Sequence, residues 1–169
     1  MNEKITFDSV DRFQRIEEHF PKIADPVLII LKGHLLAEEI LDNLLRFYCK
    51  EPEALGNVEI GFFLKCKLVR ALTGRMHSKG YIYPEKIWLI LESLNSLRNE
   101  LAHSLESEKV DSKTQRFLSV AIYPKNELSQ ENSTGARLLY SAMIGSLGFL
   151  SCFEYIVITG ELPPEIENA

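Results

Sequence analysis

Between Pro84 and His103 the residues Ile87, Ile90, Leu94, Leu97 and Leu101 recur at intervals of three and four, the period of an α-helix that buries one side. Comparable stretches run along the chain, each bounded by proline, glycine or a short polar cap. Asp8 or Ser9 is placed to cap a first helix reaching about His19, where Phe20-Pro21 breaks it. Asp25-Pro26 opens a second, running to about Lys50, and Asn57 is expected to cap a third that reaches Leu72 before Thr73-Gly74 stops it. Pro84 opens the fourth, over Glu85 to His103. The polar residues 104–112 read as a loop, Lys113 to Ile122 as a shorter helix ended by Tyr123-Pro124, and Ala136 to Thr159 as a last long helix. Tyr81-Ile82-Tyr83 is the one tempting strand, too short to build a sheet. The pattern predicts an all-α fold, an antiparallel helical bundle forming a single domain over residues 1–160, with an acidic, flexible tail at 161–169.

Composition narrows the function. A formal charge of -5 on 169 residues does not suit a protein that grips long nucleic acid through a broad basic face, although it leaves room for a small basic groove. Cys49, Cys66 and Cys152 are odd in number and lack C-x-x-C spacing, which suggests neither a disulfide framework nor zinc and fits a reducing cytoplasm. Met1-Asn2-Glu3-Lys4 does not lead into the apolar run of a signal peptide. The apolar stretch 138–158 is interrupted by Ser141, Gly145, Ser146, Gly148, Ser151 and Glu154 and reads as a core helix, so no membrane partner is expected. Phosphate-binding glycine loops, a nucleophile elbow and an H-E-x-x-H helix are all missing from the sequence, and no cofactor or metal is expected.

Helical geometry singles out a few polar residues. The fourth helix groups Ile87, Leu91, Leu94, Leu97, Leu101 and Ala102 on one face, and Arg98 projects from within it. A guanidinium cannot shed its charge, so there it needs a carboxylate partner or a water-filled groove. Asn99 and His103 lie four residues apart on the flank of that face, within roughly 40° of each other. On the second helix, His34 and Glu38 fall on the apolar side with Val27, Leu31, Leu41 and Leu45, away from the polar strip of Lys32, Glu39, Asp42, Asn43 and Arg46. The economical pairing sets Glu38 against Arg98, with His34 in the same polar spot.

Arg98-Asn99, three further residues and His103 resemble the arginine-to-histidine motif of the HEPN superfamily, near the end of a long helix. Leu28 to Leu45, with His34 and Glu38, is similar to that superfamily's acid-bearing helix, and the helix order is similar to its mannitol-operon-repressor-like branch. The resemblance covers about residues 26–105. It implies a helical bundle that commonly dimerises and, in catalytic members, cuts RNA without metal to leave a 2′,3′-cyclic phosphate. It assigns phosphate binding and charge stabilisation to Arg98, proton transfer to His103 and a supporting role to Asn99. Those roles suit the chemistry, since histidine titrates near neutrality and arginine stabilises charge on phosphorane-like oxygens. One such histidine per chain is few for a reaction needing both acid and base, which favours a composite site in a homodimer. Leu105 stands where some toxin members carry a modifiable tyrosine.

Each reading has a structural counterpart: Arg98 completing an internal ion pair, His103 ending a helix, and His34 with Glu38 as a buried structural pair. His34, Glu38 and His103 do not form a recognised metal-ligand pattern. Lys65, Lys67, Arg70, Arg75, His77 and Lys79, followed by Tyr81 and Tyr83, form a basic run without an intervening acid. Arg70, Arg75, Lys79 and Tyr81 are the candidates for guiding an RNA backbone and stacking a base; the counterpart is a solvated basic helix face. The leading expectation is a metal-independent endoribonuclease of the toxin-antitoxin or phage-defence kind, with RNA as substrate and an antitoxin or regulatory protein as partner. The alternative is a non-catalytic regulator or interaction module similar to the mannitol operon repressor.

Overall fold

The computed structural model describes residues 25–56, 58–74, 84–103, 106–123 and 135–162, with Ile16, Glu18 and Phe20. Among these the chain is an all-α bundle of five helices and no strand: α1 (Pro26–Tyr48), α2 (Phe62–Thr73), α3 (Pro84–His103), α4 (Ser107–Val120) and α5 (Gly135–Thr159), plus a short 3-10 turn over Pro52–Leu55. The first expected helix lies mostly outside the described residues, but Ile16 and Phe20 are buried in the common core.

Local chemistry sets the helix ends. Asp25 caps α1 by accepting the Val27 N–H at 2.9 Å, and Pro26 supplies the fixed φ of the first turn. Gly74 (φ 60°) and Gly160 (φ 74°) adopt the left-handed backbone that closes α2 and α5, as the sequence predicts. Two boundaries differ from expectation. The third helix begins at Phe62, because residues 58–60 are not helical and Gly61 takes the extended backbone of an N-cap. The fourth inter-helix stretch is not a loop throughout: α4 starts at Ser107, with Lys109 reaching Glu106 at 2.9 Å. Val110, Phe117 and Leu118 supply its inward spacing, and what reads as loop polarity is the solvated face of an amphipathic helix.

Helix α1 is the hub, packing against α5, α2 and α3, while α4 lies on α3. Gly33 admits the buried Met143 side chain where α1 meets α5, a place where a methyl group would collide with its sulfur. Further along, Asn43 of α1 donates to the fully buried Glu154 of α5 at 3.1 Å, so α1 and α5 run in the same direction. Asn43 therefore faces inward, although its strip reads as solvated. Helix α3 runs opposite to α1: His34 meets Asn95, whereas Val27 and Ile30 share the lining of a small cavity with Leu101. On α3, Ile87, Leu91, Leu94 and Leu97 are buried and Leu101 partly so, matching the expected face, but Ala102 is exposed. On α1, Leu41 and Leu45 are buried, whereas Val27 and Leu31 are exposed.

Helix α5 is, among the described residues, the one long and apolar enough to cross a membrane. Here it is a core element, burying Leu139, Ala142, Met143, Leu147 and Leu150. Its small polar residues serve that packing. Ser146 is buried and accepts the Ile122 N–H at 3.2 Å, tying the end of α4 to α5.

Candidate functional site

A polar seam runs through the junction of α1, α2 and α3. Spacing by four residues sets His34, Glu38 and Asp42 along one line of α1, each roughly 40° on from the last. The first turn of α2 brings Phe62 and Lys65 to that line, and α3 brings Asn95 and, one turn on, Arg98. The His34 ring stacks on Phe62 (centroids 4.1 Å, interplanar angle 29°) and its Nε2 lies 3.3 Å from Asn95 Oδ1. Since an amide oxygen only accepts, Nε2 carries the proton. The other ring nitrogen, Nδ1, lies 3.9 Å from the Glu38 carboxylate.

The carboxylate of Glu38 does not hold Arg98 as expected. It accepts from Lys65 Nζ at 2.9 Å, and the same ammonium reaches Asp42 at 2.8 Å. Lys65 is only 9% exposed. Burial lowers its pKa, but the hydrogen bonds it donates to Asp42 and Glu38, together with the charges of those carboxylates, outweigh it and the net shift is upward. Lys65 follows the inward spacing of Phe62, Cys66 and Val69, so its position is set by the apolar face that surrounds it.

His34 behaves oppositely. Burial pushes its pKa below the usual 6.5; Asn95 and Glu38 pull upward, and Arg98 and Lys65 add to the lowering. The imidazole in this seam is neutral at neutral pH. Burial pushes the Cys66 thiol up to about 12, which favours the protonated, weakly nucleophilic form.

Arg98, Asn99 and His103 occupy the C-terminal half of α3. Arg98 is half-buried, and its Nη1 donates to Asn99 Oδ1 at 3.3 Å. Among the described residues it forms no ion pair with a carboxylate. Asn99 and His103 are exposed, and His103 is the last residue of the helix. On an ideal helix Arg98 and His103 diverge by roughly 140°, with Asn99 between them. A single anion meets both only by lying across the helix end, over Asn99.

The described part of the basic run is balanced by acids from α1 and α3. Besides Lys65, Lys67 pairs with Glu92 at 3.2 Å, and Arg70 pairs with Glu85 at 3.1 Å. Arg70 is thus placed on an exposed ion pair between α2 and α3. Arg75, Lys79 and Tyr81 lie outside the described residues. Four residues of the seam are not among the site members that the sequence singles out: Asn95, Lys65, Phe62 and Asp42. Asn95 had a signal, a polar side chain between Leu94 and Leu97 on the turn before Arg98.

Across family models, curated proteins and solved structures, the comparisons returned no match to this chain.

Proposed function

We propose that the chain is a HEPN-type endoribonuclease that works without metal, with the Arg98 end of α3 as its phosphate-binding and catalytic edge. The observation that carries this reading is a half-buried guanidinium that has Asn99, not a carboxylate, as its polar partner among the described residues. Such a cation is available to an anion, and the exposed imidazole of His103 stands at the end of the same helix. In the proposed reaction the ribose 2′-oxygen attacks phosphorus and the bond to the 5′-oxygen breaks. A base takes the 2′-hydroxyl proton, an acid returns one to the leaving oxygen, and the product ends in a 2′,3′-cyclic phosphate. Arg98 stabilises the charge gathering on the non-bridging oxygens, Asn99 orients the phosphate, and His103 transfers protons.

A twofold dimer is part of the proposal, because it supplies a second His103 to serve as the complementary acid or base. Val27, Leu31 and Leu35, exposed at successive four-residue steps on α1, offer an apolar strip for that pairing, with Leu35 60% exposed. The proposed setting is cytoplasmic, as a toxin or phage-defence effector held in check by a partner protein. The test is RNA incubated with purified protein in the presence of a chelator. Fragments ending in 2′,3′-cyclic phosphate support the reading, and uncut RNA opposes it.

The pairing of Lys67 with Glu92 and Arg70 with Glu85 favours a second reading, since it leaves these cations committed within the protein. In that reading the chain is a non-catalytic regulator, and the strip on α1 receives a protein partner. Growth arrest on expression, relieved by His103→Ala, separates the two: the nuclease arrests growth and the regulator does not.

A further inference from the structure

Apolar burial holds α3 in the bundle but does not choose its rotation finely, because the hydrophobic effect is non-directional. Ile87, Ile90, Leu91, Leu94 and Leu97 are each at most 2% exposed, and such a face tolerates small turns about the helix axis. A hydrogen bond is directional. Among the described residues, one that links α1 to α3 in this seam is His34 Nε2 to Asn95 Oδ1, at 3.3 Å, and Asn95 lies one turn before Arg98. The donor is itself fixed. His34 is 6% exposed, stacked on Phe62, and lies 3.9 Å from Glu38 of its own helix, which Lys65 of α2 also holds.

We infer that Asn95, clamped by His34, is a positioning residue that sets the rotation of α3 and hence the direction in which Arg98 and Asn99 leave it. This deepens the nuclease reading and rests on it for its catalytic consequence. Neither Asn95 nor His34 needs to touch RNA. Their contribution is to hold the guanidinium and the Asn99 amide within the few tenths of an ångström that phosphate geometry demands. Burial is what favours the neutral ring of His34 here, with Asn95 and Glu38 opposing it and Arg98 and Lys65 adding to it.

The test compares the wild-type chain with His34→Leu, Asn95→Leu and His34→Gln, the last of which keeps a side-chain N–H donor. Two readouts are taken on folded protein: the Arg98 Nε–H and Asn99 amide resonances in 15N–1H spectra, and kcat and KM on a short RNA. The expected result is displaced resonances and a kcat lowered about tenfold at unchanged KM in both leucine variants, with His34→Gln within about threefold of wild type. Resonances that stay in place in either folded leucine variant overturn the positioning role, whatever the activity. So does a kcat within twofold of wild type, or a His34→Gln variant as impaired as His34→Leu. A wild-type chain that cuts no RNA removes the nuclease reading alone, because the resonances still decide the clamp.

Discussion

The Lys65 ammonium lies 2.9 Å from the Glu38 carboxylate, so the acid of α1 is committed to α2 and Arg98 of α3 is left to Asn99. That division separates a structural ion cluster from an arginine available to a ligand.

Removing the lysine should cost more than removing either acid. Lys65→Met leaves Glu38 and Asp42 four residues apart without their shared cation, whereas Glu38→Gln leaves Lys65 still paired with Asp42. Because both carboxylates retain solvent contact, about 1–3 kcal/mol is expected for Lys65→Met and about 1 kcal/mol or less for Glu38→Gln. Urea denaturation reads the difference, and equal losses would speak against the cluster.

Acid should weaken the fold through His34. Its folded-state pKa lies below 6.5, so between the two values the unfolded chain binds more protons and stability rises with pH. The contribution is complete above 6.5 and is lost as pH falls toward the folded-state pKa. Urea midpoints at pH 7.5 and 5.5 should differ more for the wild type than for His34→Gln; identical differences would show that His34 is not the responsible group.

The cap of α1 offers a simpler check. Asp25→Ala removes the acceptor of the Val27 N–H and should cost about 1 kcal/mol, while Asp25→Ser restores most of it. Thermal midpoints that do not move with Asp25→Ala would mean that α1 is held by packing alone.

Substitution of leucines should separate folding from assembly. Leu94→Ala opens a cavity in a fully packed face and should cost about 2–5 kcal/mol. Leu35→Ser alters an exposed strip and should change chain stability little, while shifting the proposed dimer toward monomer in sedimentation. A Leu35→Ser protein that sediments as the wild type contradicts the use of that strip for pairing.

Helices α1, α3 and α5 were legible because their apolar residues keep the helical period and their ends carry Asp25-Pro26 and Gly160. The start of α4 was hidden because residues 107–116 contain only Val110 as an apolar signal. Pairing across helices was the hardest part to read. Helical spacing points Glu38 toward Arg98, and only the approach of α2 reveals Lys65 as its cation. Burial of Lys65 was equally concealed, since a basic residue in a basic run resembles a solvated face.

The central claim is that the end of α3 cleaves RNA, and it is tested most directly by single-turnover cleavage with wild type, Arg98→Ala and His103→Ala at equal concentrations in chelator. Cleavage by the wild type and a fall of about a hundredfold or more in both variants is the expected result. Equal rates in all three proteins would contradict it.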